Sequence, residues 1–367
     1  MGRLLINPAS ANMKIAPASA NQKVYPCFTP HDGYYVDITI DKTQVGAEQT
    51  DFPICLQGNE MPAGFWSHVG TGSGLFVTDA RTSRRYHREI EYLSVGDEKV
   101  ALHTRIPTLG TEQDHVIRLY YGGSQSGVDT SMVWDSSFEF VSHMADYNAG
   151  TQIWDSTKNR NHGTKGAEAQ APTEVAGTVG RAQQFVAASE QYIALPDNAS
   201  VKPDAFTCFA VVSGMSDIGA IQHLLGWGNY LPILAFDYST NRAIIYMSAG
   251  NYQYFNSTEW ATLANGALHS VAFSLPGAVQ DSIDNASMWI DGAAWAKSGG
   301  ANKTTAQGAK SAPYIGAKKV VGADCLNAIV NELRLSSVAR SAEWIALTHL
   351  TLLDPTTLYG ISAEQSV

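Results

Sequence analysis

The feature that most constrains this chain is its punctuation. From residue 34 onward, short apolar or alternating runs are closed by glycine, proline, asparagine or aspartate. YYVDITI (34–40) and KVALHTRI (99–106) alternate, and VIRLYYGG (116–123) is an apolar run ended by glycines. The same spacing continues through AFTCFAVV (205–212), RAIIYMSA (242–249), HSVAFSLP (269–276) and AIVNELRLS (328–336). The 32 glycines and the 16% share of charged residues point the same way, since a helical bundle needs long charged faces. An all-β fold is therefore predicted, and 367 residues suggest two domains. WIDGAAW (289–295) reads as a hairpin turning at Asp-Gly. DFPICLQG (51–58) carries its proline near a strand start, where the ladder tolerates it. One helix is expected near the end, in SAEWIALTHL, with Ser341 as N-cap and Glu343 in the first turn. GGANKTTAQGAKSA (299–312) reads as an exposed loop.

The net charge of −10 argues against a phosphate-binding surface, so no nucleic-acid partner is expected. Arg81, Arg84, Arg85, His87 and Arg88 run against that trend and read as a solvated strand edge. Cys27, Cys55, Cys208 and Cys325 stand far apart among apolar neighbours, without the spacing of a zinc site. They read as buried thiols from a reducing compartment. No run is long enough for a membrane span. Asn, Pro and Ser interrupt the apolar stretch that a secretion signal would need.

The first 23 residues hold a tandem repeat, INPASANMK then IAPASANQK, identical at seven of nine positions. Small residues and proline build neither a core nor a long helix. Such an arm is ordered only against something else, whether this chain in a self-packed extension, a copy of it or a different protein. It reads as an assembly arm, with Ile6, Pro8, Ile15 and Pro17 as its repeated anchors. Other virion proteins or further copies of the chain are the partners considered.

Residues 34–143 resemble a β-domain of uncharacterised role found in many microbial and phage proteins. YYVDITID, DFPICL, GLFVTDARTSRRYHREIEYL, IPTLGTEQDHVIRLYYG and WDSSFEFVSHM carry that resemblance. The second half is similar to a laminin-G-like, concanavalin A-like lectin domain, through DSTKNRNHGT, GRAQQFVAASEQYIALPD, FTCFAVV, ASMWIDG and NELRLSSVARSAEWI. After the arm (1–23), the resemblance implies a small β-sandwich (24–143) and a concanavalin A-like jelly roll (144–367) ending in a short helix. The absent secretion signal, the repeat arm and the lectin-like domain together point to a non-enzymatic phage virion protein of tail, fibre or capsid surface, whose outer domain touches host surface glycans. The alternatives are a cell-surface or extracellular adhesin and, further off, an accessory module of a glycoside hydrolase.

Two sites follow as expectations. DSTKNRNHGT (155–164) could ligate calcium through Asp155, Asn159 and Asn161, with Glu332 from a late strand, as many relatives of this domain do. Lys158 and Arg160 weaken that reading, and the alternative is an Asx-type turn. A glycan platform is expected among Trp227, Tyr230, Tyr252, Tyr254 and Trp260, with core packing as the alternative. In REIEYLS, Glu89 and Glu91 share a strand face, as glycosidase carboxylates can. The third acid of laminarinase-like enzymes is absent after them, so the pair reads as structural. Otherwise no nucleophile, phosphate-binding or metal-hydrolase motif appears.

Overall fold

The structure, a computed structural model, describes residues 32–58, 61–124, 130–178, 180–228, 233–248, 251–255, 260–277, 283–301, 310–318 and 324–367. The repeat arm with Ile6, Pro8, Ile15 and Pro17 lies outside these residues, as do Cys27 and Tyr230. The fold is all-β. Among the described residues, four sheets form, of six, three, eight and ten strands.

The first domain sets the six-stranded sheet against the three-stranded one. Tyr34–Ile40 pairs antiparallel with His115–Tyr121 along its whole length. Its alternation buries Val36, Ile38 and Ile40 completely. They share a core with Phe52 and Ile54 of Gln49–Gln57 and with Leu102 and Ile106 of Lys99–Leu109. Each such side chain contributes roughly 1.5–3 kcal/mol when removed from water. Arg88–Ser94 completes the three-stranded sheet beside Lys99–Leu109. The basic run before it departs from the solvated edge expected. His87 and Arg88 are buried, and Arg88 Nε donates to the Leu75 carbonyl. Of that cluster Arg81 is exposed, and Arg84 and Arg85 are half-buried.

The second domain packs the eight-stranded sheet on the ten-stranded one. Its central strand, Phe206–Ser213, lies between His269–Leu275 and Ala328–Ser336. Phe206, Cys208, Ala210 and Val212 enter the sandwich core, while Phe209 and Val211 face the first domain's core. Burial on both faces explains why FTCFAVV is an uninterrupted apolar run. The hairpin at Asp291-Gly292 forms as expected. Both residues have positive φ, 49° and 76°, and Ile290 pairs with Ala293. Gly299 and Ala301, expected in a loop, lie in the strand Lys297–Ala301 beside Asn251–Phe255. Cys55 and Cys208 are buried free thiols, and Cys325 is buried.

The boundary expected at 143/144 is crossed twice. Phe138–Ser142 leaves the first domain and pairs with Ala328–Ser336 in the eight-stranded sheet. At the other end, Tyr359–Ile361 and Gln365–Ser366 return to Tyr34–Ile40, with Ile38 opposite Ile361 and Tyr34 opposite Ser366. Between them runs the helix Ala342–Leu353, capped by Ser341, whose hydroxyl accepts from Trp344 N. This helix covers the free edge of Gln49–Gln57. Thr351 Oγ1 accepts from Cys55 N at 2.7 Å and donates to Cys55 O at 3.1 Å. Gln57 Nε2 donates to the carbonyls of Thr351 and Leu352 at 2.9 and 2.7 Å. An open edge is a template for unwanted pairing, and the C-terminal segment closes it.

Candidate functional site

The loop 155–164 is built inward. Asp155 is fully buried. Its Oδ1 accepts from Val141 N at 3.0 Å and Thr157 N at 2.9 Å. Its Oδ2 accepts from Thr157 Oγ1 at 2.9 Å and Asn161 N at 2.6 Å. Asn159 turns its amide nitrogen to Glu139 Oε2, at 2.9 Å. Asn161 donates to Glu139 O and Ser200 Oγ, both at 2.8 Å, and its Oδ1 accepts from Asn198. Glu332 bonds His143 and Arg334 instead of approaching this loop. A calcium ion needs converging oxygens with open lone pairs. Asp155, Asn159, Asn161 and Glu332 do not converge here, and the carboxylate's lone pairs already hold the turn together. The residues present do not fit a calcium shell. Burial raises the Asp155 value above its ordinary one, against the four donors that oppose the rise.

The five expected platform residues divide. Trp227 is fully buried among Phe206 and its neighbours, with its indole N–H on Val201 O. Trp260 is buried edge-on against Tyr238. Both belong to the core because their rings fill the sandwich interior. Tyr252 and Tyr254 are half-buried on the outer face of the ten-stranded sheet. Their strand pairs with Arg242–Ser248, where Ala243 and Ile245 point into the core and Arg242 and Tyr246 point out. The rings of Tyr246, Tyr252 and Tyr254 form a row, with centroids 5.7 and 4.6 Å apart. The Arg242 guanidinium lies 4.9 Å from the Tyr254 ring centre. Burial, then the neighbouring phenols, push the Tyr246 hydroxyl up to about 12, so it stays a neutral donor. A row of tilted rings fringed by hydroxyls and a guanidinium suits the apolar face and hydroxyl rim of a sugar. Tyr246 and Arg242 escaped the sequence reading, since only the strand register places them beside Tyr252 and Tyr254. A second aromatic group, Tyr147, Trp154 and His162 with Arg160 over Trp154, lies at the far edge of this sheet.

The other concentration of chemistry is sealed between the domains. Glu89 and Glu91 come from Arg88–Ser94, His103 from Lys99–Leu109, and Glu332 and Arg334 from Ala328–Ser336. His143 directly follows Phe138–Ser142. The ladder slips between Ile90 and Tyr92, so Glu91 is the extra residue of a bulge. His143 Nδ1 lies 2.7 Å from Glu332 Oε2 and 3.4 Å from Glu91 Oε2. His103 Nε2 lies 2.8 Å from Glu91 Oε2, and Arg334 Nε donates to Glu332 Oε1 at 2.7 Å. Glu89 accepts from Trp134 Nε1 at 2.7 Å and from Ser156 Oγ. Burial works against every charge here. For His143 it is outweighed by Glu332 and Glu91, which hold the imidazole well above its ordinary value. Glu332 is held down to about 2 by His143 and Arg334 despite its burial. Glu89 is likewise held low, by His143, His103 and the Ser156 hydroxyl. For His103, burial wins and the value falls. His103, His143 and Arg334 carried no sequence signal, because the seam is assembled from strands far apart in the chain.

A jelly roll of two packed antiparallel sheets bearing an outward aromatic row has the architecture of the lectin and glucanase sandwiches. Residues 187–346 match the laminin-G-type family described as the concanavalin A-like lectin/glucanases superfamily. No curated protein matches the chain. Among solved structures, it is similar to the binding domain of Paraclostridial Mosquitocidal Protein 1, with a TM-score of 0.45 and 9% identity over 59% of this chain and 53% of that one. It is also similar to the Trypanosoma rangeli sialidase, with a TM-score of 0.43 and 14% identity over 74% of this chain and 43% of that one. The binding domain of Botulinum neurotoxin DC follows, with a TM-score of 0.42 and 6% identity over 59% and 52%. The chain spans about half the length of these solved chains. Among the described residues, no helix is long and apolar enough to cross a membrane.

Proposed function

We propose that this chain is a non-enzymatic, carbohydrate-binding structural protein that presents the Tyr246, Tyr252 and Tyr254 row to host surface glycans. The observation that carries the reading is this row itself, three rings on an outer sheet face with Arg242 stacked at one end. The sealed seam supports the non-enzymatic part. A glycosidase needs one carboxyl raised to donate a proton. Glu89 is instead held as a carboxylate by Trp134 and Ser156.

The finer reading is a virion component of a phage tail, fibre or capsid surface, joined to other virion proteins or to further copies through the repeat of residues 1–23. Its support is the resemblance of residues 34–143 and the arm's composition. A cell-surface adhesin uses the same tyrosine row and differs only in what the arm holds.

A glycan array that includes bacterial surface polysaccharides tests the binding, run in calcium and in chelator because the loop 155–164 was the expected calcium site. A specific hit that Tyr252→Ala or Tyr254→Ala abolishes, with the melting temperature unchanged, supports the platform. A blank array in both conditions from folded protein overturns it. Deleting residues 1–23 tests the arm. Incorporation into particles at normal copy number after that deletion removes the anchoring role.

A further inference from the structure

We infer that the seam between the two domains is a binding site for a first-row divalent cation of the zinc class, ligated by Glu91, His143 and Glu332. One ligand atom from each lies within 4.8 Å of the other two. His143 Nδ1 is the hub, 2.7 Å from Glu332 Oε2 and 3.4 Å from Glu91 Oε2. Ligand atoms around a tetrahedral zinc stand roughly 3.3 Å apart, given bonds of about 2.0–2.1 Å. The present spacing needs only small side-chain adjustments to close on an ion. A mixed imidazole and carboxylate set suits zinc and its neighbours better than calcium, which takes oxygens alone.

Three further observations point to a cation. The first is charge. Glu89, Glu91 and Glu332 are nearly buried together, and Arg334 is the one guanidinium bonded among them. Ligation requires the His143 imidazole to give up its proton, as metal binding to histidine does; three carboxylates then face one guanidinium, a deficit that a divalent ion supplies. Buried charge is tolerated when it is paired or holds a metal. The second is an outer shell already in place. His103 Nε2 is 2.8 Å from Glu91 Oε2 and Arg334 Nε donates to Glu332 Oε1 at 2.7 Å, the kind of support that fixes ligating carboxylates. The buried His143 Nε2 has no hydrogen-bond partner, and the nearest carboxylate oxygen, on Glu89, is 3.9 Å away. The third is space. A small cavity of about 20 Å³ between the domains reaches Glu91 and Glu332 and is lined also by Arg181, Asn331, Leu352 and Leu353. It has room for about one ion or water and none for an oligosaccharide.

Glu91 belongs to the first domain, whereas His143 and Glu332 belong to the sheet of the second. The ion therefore bolts the two domains together. It is distinct from the loop at Asp155.

The test is equilibrium dialysis of the full chain against zinc, with cobalt as a spectroscopic probe and a melting scan in parallel. One equivalent per chain is expected, with a tetrahedral cobalt absorption band and a melting temperature that rises with zinc and falls back in chelator. Glu91→Gln should weaken zinc binding at least roughly 10-fold. Asp155→Asn should leave the stoichiometry at one. Should Glu91→Gln fail to fold, the cobalt spectrum of the unaltered chain decides alone, because an imidazole and carboxylate site and a surface site differ in coordination. No stoichiometric zinc on folded chain, or unchanged affinity in folded Glu91→Gln, overturns the inference.

Discussion

The interdomain seam and the tyrosine face use polar chemistry in opposite ways. In the seam, the carboxylates are pinned by donors of the chain itself, and water is largely excluded. On the tyrosine face, the rings lean on one another and keep an open side. Burial makes the first rigid and costly to disturb. Partial exposure makes the second cheap to alter and available to a ligand. A cluster's chemical richness is therefore a poor guide to its use, and the number of its bonds already satisfied within the chain is a better one.

The contrast can be broken at several points. The largest loss is expected from Glu332→Ala in chelator, which leaves His143 and Arg334 buried without their carboxylate. About 3–5 kcal/mol should disappear from the denaturant unfolding curve. A loss below about 1 kcal/mol would mean that water reaches the seam freely. Next is Asp155→Ala, which strips the acceptor from three backbone N–H groups and the Thr157 hydroxyl. It should cost about 2–4 kcal/mol, equally in calcium and in chelator. A loss confined to calcium would restore the loop as a cation site.

Acid offers a third probe. His223 is buried and donates Nδ1–H to the Asp324 carbonyl 2.6 Å away. Burial depresses it from its ordinary 6.5 to about 4. The folded state thus resists protonation that the unfolded chain accepts. The stability tied to this group is complete above pH 6.5 and is lost as pH falls towards 4, by about 3 kcal/mol. His223→Gln should flatten that part of the stability profile, measured by chemical unfolding across the window. The smallest structural effect is expected at the tyrosine face. Tyr254→Ala should cost under about 1 kcal/mol, yet remove glycan binding. Trp227→Ala, by contrast, should cost about 3–5 kcal/mol and so lose binding only by unfolding.

Much of the fold is legible in the residues. YYVDITI alternates because one face of its strand is core, and FTCFAVV does not because both faces are. Ser341 and Asp291-Gly292 act through neighbours in sequence, so their cap and turn are readable directly. What escaped depends on long-range register. Trp227 and Tyr254 look alike as aromatic residues among polar ones, and only the sheet assigns one to the core and the other to the surface. Glu91 and Glu332 are 241 positions apart by their numbers in the sequence. Nothing local in either predicts that a bulge and a crossing strand bring them to one imidazole. The loop 155–164 had the right residue types for calcium, but its amides and carboxylate turn inward to close their own chain.

The return of Tyr359–Ile361 to Tyr34–Ile40 has a consequence for how this protein is made. On the ribosome, the strand 34–40 finds His115–Tyr121 once that strand emerges, but its other edge stays bare until residues 359–361 are translated. The strand Gln49–Gln57 likewise waits for Thr351 and Tyr359. Pairing across such separations is slow, and an uncovered edge is prone to intermolecular pairing meanwhile. A nascent chain interrupted anywhere before residue 359 therefore carries an unfinished first domain, however complete its sandwich, and that domain closes only when residues 359–366 reach it.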